Sequence, residues 1–140
     1  MQTKEKAADS ATNTINGKEK SLNSILTVEN QNVNKKIVSL ISELGIPPHI
    51  IGFDCIVIAL QLICSAKKRL SMTKEVYPTV AQSVGINTSS AERAIRYAVY
   101  TALKTKDSRE NVSRILGAQF ICEHAPNSKF LYICALKIKE

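Results

Sequence analysis

Residues 78–103 read Pro-Thr-Val-Ala-Gln-Ser-Val-Gly-Ile-Asn-Thr-Ser-Ser-Ala-Glu-Arg-Ala-Ile-Arg-Tyr-Ala-Val-Tyr-Thr-Ala-Leu, and this stretch decides the fold. A short segment with helical apolar spacing ends at Gly85, and a longer helix is predicted from about Thr88 to Lys104. One side of the longer helix is apolar, with members three or four residues apart: Ala91, Ala94, Ile95, Ala98, Ala102 and Leu103. The stretch therefore has the form of two helices joined by a tight turn.

The shorter segment meets the requirements of the first half of a helix-turn-helix. That half needs a small residue where the second helix crosses, and a turn residue that relaxes the backbone. Ala81 and Gly85 supply both, four residues apart. The predicted buried side of this half consists of Val80, Val84 and Ile86. The candidate N-caps of the second helix are Asn87, Thr88 and Ser89. The sequence thus predicts a helix-turn-helix at about residues 79–104.

The other side of the longer helix is polar and charged, which suits the major groove of DNA. Thr88 and Ser89, with the free backbone amides of the first turn, can hold a phosphate. Glu92 can accept from a cytosine amino group, and Arg93 or Arg96 can form two hydrogen bonds with a guanine edge. Glu92 and Arg96 are also four residues apart, so an exposed ion pair with no DNA role stays open. The predicted DNA-binding residues are Thr88, Ser89, Ser90, Glu92, Arg93, Arg96 and Lys104.

The charge balance favours a polyanionic partner. The net charge is +7 and the isoelectric point is near 9.3. Basic residues follow the longer helix, where phosphate contacts would extend a DNA footprint: Lys104, Lys106, Arg109 and Arg114. The first thirty residues have no signal-peptide pattern, and the apolar stretch at 50–63 is shorter than the roughly 20 residues of a membrane span. We therefore expect a cytoplasmic, nucleoid-associated protein with no membrane partner.

Composition favours packed helices over a β-sandwich, and the segments with helical spacing predict an all-α fold, a compact bundle of about six helices. Aromatic residues make up 5% of the chain, so the core must consist mainly of Ile, Leu, Val and Ala. Residues 1–36 are polar and predicted to be a disordered tail, whereas 37–140 are predicted to form the helical domain. Two of the remaining predicted helices run from about Val33 to Gly45 and from Pro47 to about Ala66. A third runs from Thr73 to Val84, with a bend or restart at Pro78. The last two run from Asp107, which forms a capping pair with Glu110, to Leu116 before Gly117, and from Asn127 to about Ile138.

Nothing in the sequence predicts an enzyme, a cofactor or a metal site. The cysteines are expected to be reduced and mostly buried core thiols: Cys55, Cys64, Cys122 and Cys134. Cys122 with His124, or His49 with Cys55, lacks the paired close-ligand spacing of a structural zinc motif. Neither histidine lies in a nucleophile motif, and no glycine-rich phosphate loop or paired-carboxylate motif is visible.

Three blocks, in order and spacing, carry a family resemblance over about residues 37–140. They are Ile-Ser-Glu-Leu-Gly-Ile-Pro-Pro-His-Ile at 41–50, the run from Thr73 through Pro78 and Ala81 to Arg96, and Asn-Ser-Lys-Phe at 127–130. The Glu-Arg-Ala-Ile-Arg run at 92–96 is the most specific. Together they resemble the DNA-binding effector (C-terminal) domain of the stage-zero sporulation transcription factor, the response regulator of sporulation initiation.

The resemblance implies an all-helical domain of about six helices with a central helix-turn-helix. It also implies binding to a short double-stranded DNA box, control of transcription, and a homodimer or a tandem assembly on DNA. Contact with RNA polymerase sigma factor would involve the helices after the recognition helix, by position residues 107–116.

Two departures from the family pattern favour an alternative function. Ser90 stands where the family usually has a basic residue, and Gln82 and Ser83 stand where it tends to have lysines. The family's regulators also carry a receiver domain, and 36 polar residues are too few to form one, so control through an attached receiver is not expected. The alternative is a protein-interaction antagonist or modulator that pairs with a full-length sporulation regulator and binds DNA weakly.

Overall fold

The computed structural model describes residues 17–140, with side chains from Glu29 onward, and its larger compact unit is Val33–Glu140. Its α-helices are α1 (Gly17–Glu43), α2 (Ile51–Ser65), α3 (Tyr77–Val84), α4 (Thr88–Leu103), α5 (Lys106–Leu116) and α6 (Asn127–Ile138). A π-helical turn, Met72–Val76, leads directly into α3. No strand occurs between residues 17 and 140. The predicted all-α bundle of about six helices is confirmed.

Helix α1 begins upstream of the predicted domain boundary. Residues 1–16 of the predicted disordered tail lie outside the described part of the chain, whereas the stretch from Gly17 onward is helical. The C-terminal half of α1 packs on the domain through one apolar side, formed by Ile37, Leu40, Ile41 and Leu44. Gly45, at φ 87°, ends this segment as predicted, because the left-handed region costs glycine little.

Helix α2 is the central helix of the bundle and approaches α4 most closely at Gly52. A Cβ at this position would overlap the Ala94 carbonyl oxygen and lie 2.8 Å from Ala98 Cβ. The helix begins at Ile51, so the predicted start at Pro47 is wrong. Ile50 has an extended backbone (φ −90°, ψ 147°), which keeps the preceding prolines outside the helix.

The helix-turn-helix predicted at about 79–104 corresponds to α3, a turn and α4. The predicted restart at Pro78 is confirmed, since the π-helical turn gives way to α3 at Tyr77 and Pro78 lies in the first turn. Proline is tolerated there because first-turn amides have no partner within the helix. Ala81 is buried, as expected for the small residue in the first helix. Gly85 has a left-handed backbone (φ 85°), as expected for the residue at the turn.

The N-cap of helix α5 lies two residues earlier than predicted. The cap is Thr105 and not Asp107, because Thr105 has the extended backbone of an N-cap (φ −115°, ψ 160°). Thr105 Oγ1 accepts from the Ser108 amide at 3.0 Å, and Ser108 Oγ accepts from the Thr105 amide at 2.9 Å. Asp107 lies inside the first turn, where its negative charge interacts favourably with the helix dipole.

The cysteines are distributed between the core and the surface. Cys55 and Cys134 are buried, Cys64 is half-buried, and Cys122 is exposed in the segment between α5 and α6. The expectation of core thiols is therefore wrong for Cys122, whose Sγ donates to the His124 carbonyl oxygen at 3.1 Å. Burial raises the pKa of the Cys134 thiol to about 12, so this thiol is an inert core group at neutral pH.

Candidate nucleic-acid interface

Helix α4 starts with a side-chain cap that comes from one of the three predicted residues. Asn87 Oδ1 accepts from the Ser90 amide at 2.8 Å and from the Ser89 hydroxyl at 2.9 Å. Thr88 is the first residue of the helix and is exposed. The cap thus uses the Ser90 amide and the Ser89 hydroxyl, two of the groups considered for phosphate binding.

The two sides of α4 have opposite character, as the spacing predicted. The side that packs on the core is buried and contains Ala91, Ile95, Ala98, Val99, Ala102 and Leu103. The opposite side begins with Ser89 and continues through Glu92, Arg93 and Arg96. We call these four residues the charged face. Because small residues line the buried side, the helix lies close to α2 while its charged face points away from the core.

The charged face has a specific arrangement in the free protein. Arg96 Nη2 lies 3.2 Å from Glu92 Oε1, and Arg93 Nη2 donates to Ser90 Oγ at 3.4 Å. The Arg96 side chain remains 58% exposed despite its ion pair. The pairing that the sequence left open is therefore present. An exposed pair of this kind contributes only about 0.3–0.5 kcal/mol, so another partner can displace it.

Lys104 does not belong to this group of residues. It follows α4 as its C-cap residue, and twelve residues of helix place it about 18 Å along the axis from Glu92. Next to it, Arg109 Nη1 donates to the Leu103 carbonyl oxygen at 2.9 Å. The C-terminus of α4 therefore combines an exposed lysine with an arginine that serves as a helix cap.

One buried contact behind the charged face was missed by the sequence analysis. The Asn127 Nδ2 group donates to the Tyr77 hydroxyl at 3.0 Å and to the Glu92 carbonyl oxygen at 3.3 Å. Burial is the main cause of a raised pKa at Tyr77, and the Asn127 hydrogen bond opposes it. A cavity of about 300 Å³ adjoins this contact, with Thr73 and Arg96 in its wall. The one sequence signal was a polar residue at the start of an apolar helix.

An aromatic group beyond the charged face was also missed. Tyr97 and Tyr100 are exposed on α4, and the Tyr100 ring stacks on His124 with centroids 6.0 Å apart and planes 27° apart. The segment between α5 and α6 therefore reaches the C-terminal half of α4. Two tyrosines on the polar side of a predicted helix were the available signal.

Within residues 17–140, no helix combines the length and apolar character needed to cross a bilayer. In the same part of the chain, no group of three or more His, Cys, Asp or Glu side chains could hold a metal ion.

A short α3, a left-handed glycine turn and a capped α4 with an exposed charged face define a helix-turn-helix domain. The model of the family described as "Sporulation initiation factor Spo0A C terminal" matches residues 37–138. The chain belongs to this family, which confirms the resemblance. It is a family of DNA-binding transcription regulator domains involved in sporulation and not a family of enzymes. DNA is therefore the partner of this domain.

Proposed function

We propose that this domain regulates transcription by recognising a specific double-stranded DNA sequence, with the N-terminal half of α4 in the major groove. The observation that carries the proposal is the charged face, opposite a side of α4 that is buried in the core. The two faces leave only one side of the helix free for base edges.

Each residue of the charged face has a chemically defined role in this proposal. Arg93 and Arg96 each present a guanidinium that can donate two hydrogen bonds to guanine, while Glu92 accepts from a cytosine amino group. Ser89 and Thr88 lie at the helix start, where contacts go to phosphate rather than to bases. Lys104, at the far end of α4, adds a backbone contact that is independent of sequence.

The Glu92–Arg96 pair is compatible with base recognition. In the free protein the two side chains form an ion pair, with Arg96 Nη2 3.2 Å from Glu92 Oε1. On DNA the pair exchanges its exposed ion pair for base edges, at a cost of about 0.5 kcal/mol. A good two-bond contact contributes about 1–3 kcal/mol of discrimination, so the exchange is favourable.

Selection of bound sequences from random duplex DNA, at two salt concentrations, tests the proposal. We expect one enriched motif and an affinity that falls with salt. Arg93→Ala and Arg96→Ala should each lower affinity for that motif by about 1–3 kcal/mol and relax the preference at one base pair. Lys137→Ala is the matched control, because it removes an exposed cation about 15 Å along α6 from Asn127.

Two results would overturn base recognition by α4. One is the absence of an enriched motif, and the other is unchanged affinity and preference in both arginine variants. A uniform loss across all sequences would instead assign the arginines to phosphate contacts.

A second candidate function is supported by the polar residues in place of basic ones. Gln82, Ser83 and Ser90 stand at three positions where the family pattern has basic residues. Gln82 and Ser83 are exposed on α3, and the Ser90 hydroxyl accepts a hydrogen bond from Arg93. A domain with weaker DNA binding suits an antagonist or modulator that pairs with a full-length sporulation regulator. Light scattering on a mixture of the two proteins tests this: a complex without an enriched DNA motif would favour it.

We further infer that the domain acts in larger assemblies, as its family resemblance implies. Domains would lie side by side on tandem boxes or as a homodimer, and α5 would contact RNA polymerase sigma factor. Helix α5 has charges of both signs on its exposed residues, including Lys106, Asp107 and Glu110. Titration of DNA with one or two copies of the selected motif measures stoichiometry. Glu110→Ala then tests the sigma-factor contact: we expect it to lower transcription activation and to leave DNA binding intact.

A further inference from the structure

Asn127 occupies an unusual environment for an amide side chain. It is the first residue of α6 and only 7% exposed, and it is the one buried polar residue among residues 29–140. Its Nδ2 group links three helices, since it donates to Tyr77 of α3 and to the Glu92 carbonyl of α4. Side chains in such a position are usually apolar.

The oxygen of this amide differs from its nitrogen in having no partner among the described residues. Asn127 Oδ1 is buried and accepts no hydrogen bond from the described part of the chain. An apolar side chain of similar shape would leave no such acceptor unpaired. It would also lose the two hydrogen bonds by which this amide holds α3, α4 and α6 in a defined relation, and these bonds point to a role in positioning.

The hydrogen bond from Asn127 to the Glu92 carbonyl oxygen acts on the part of α4 that carries the charged face. Glu92 lies in the second turn of α4, and its carbonyl already accepts the amide four residues on, as in any α-helix. A second donor from α6 restrains the rotation of α4 about its axis at this turn, in addition to the packing of its buried side. Glu92, Arg93 and Arg96 lie within about 6 Å along the axis, so one such bond orients all three.

We propose that Asn127 is a positioning residue for DNA recognition: its amide sets the rotation of α4 so that Glu92 and its arginine neighbours face the base edges. The proposal rests on the proposed function of α4. Asn127 itself does not contact DNA, because it is buried behind the helix. Its effect therefore passes through the residues of the charged face.

A double-mutant cycle with Asn127→Ala and Glu92→Ala tests this, using the full chain, the selected duplex and an unrelated duplex. We expect Asn127→Ala to lower affinity for the selected duplex about tenfold, and for the unrelated duplex less than about twofold. In the Glu92→Ala background the loss on the selected duplex should shrink to about threefold or less. Circular dichroism at the assay temperature confirms that each variant is folded.

Tyr77→Phe is the matched control. It removes the other acceptor of Nδ2 and leaves the Glu92 bond in place, so affinity for the selected duplex should change less than about threefold. Where Asn127→Ala does not fold, Asn127→Asp replaces it in the cycle, because it keeps the shape and loses the Nδ2 donor.

Additive losses in the cycle, or equal losses on both duplexes, would overturn the positioning role. An equal loss on both duplexes is what general destabilisation produces. If the unmodified protein selects no sequence at all, the proposed function itself fails. A selected motif combined with additive losses in the cycle is instead a failure of the Asn127 proposal alone.

Discussion

The two sides of α4 obey different physical constraints. The buried side tolerates almost no change in volume, because Gly52 of α2 leaves no room for a methyl group against Ala94 and Ala98. The charged face consists of exposed or half-buried side chains with weak contacts. In the proposed function, stability depends mainly on the buried side, and base recognition uses the charged face. We therefore expect changes to the charged face to alter DNA preference with little effect on the fold.

The largest effect is expected from Gly52→Ala on the buried side. Helix propensity alone would make this change stabilising by about 1 kcal/mol. The overlap with the Ala94 backbone should reverse the sign and lower the free energy of unfolding by about 3 kcal/mol. Urea titration measures it, with Asp54→Ala on the exposed side of the same helix as control. A variant as stable as the unmodified protein would show that α2 and α4 do not approach this closely.

A smaller effect is expected at the start of α4, where the two sides meet. Asn87→Ala removes the acceptor for the Ser90 amide and should lower the free energy of unfolding by about 1 kcal/mol. Gln82→Ala, at an exposed position of α3, should change it by less than about 0.5 kcal/mol. Equal unfolding midpoints for the two variants would contradict the assignment of Asn87 as the cap.

On the charged face, Arg96→Ala should separate stability from binding. It removes an exposed ion pair, so the free energy of unfolding should change by less than about 0.5 kcal/mol. Affinity for the selected duplex should nevertheless fall by about 1–3 kcal/mol. Both quantities are measurable on one preparation, by urea titration and by fluorescence anisotropy with labelled duplex. A large loss of stability would show that the two sides of α4 are not independent.

The buried contact of Tyr77 with Asn127 should respond to alkaline pH. Burial raises the pKa of Tyr77, so the folded state holds the phenol proton more tightly than the unfolded chain does. This contribution is complete below pH 10, the ordinary pKa of tyrosine, and is lost as the pH rises through the folded-state pKa. Stability of the unmodified protein should thus fall faster above pH 10 than that of Tyr77→Phe. Parallel pH profiles in thermal melts would contradict this.

Local patterns predicted much of the fold because they depend on neighbouring residues alone. The apolar spacing of α4 identified its buried side, and Gly85 and Gly117 were correctly placed at helix ends. Helix starts were less predictable. Pro47 and Thr105 show why: several nearby residues could serve as start or cap, and backbone geometry chooses among them.

The sequence by itself predicted a helical domain at residues 37–140 with a two-sided α4 and a charged face, since these follow from periodicity and residue chemistry. Only the tertiary structure decided which helix packs behind that face and what holds it there. Gly52 lies 42 residues before Ala94, and Asn127 lies 35 residues after Glu92. Contacts across such separations depend on how whole helices cross, and no local pattern records that.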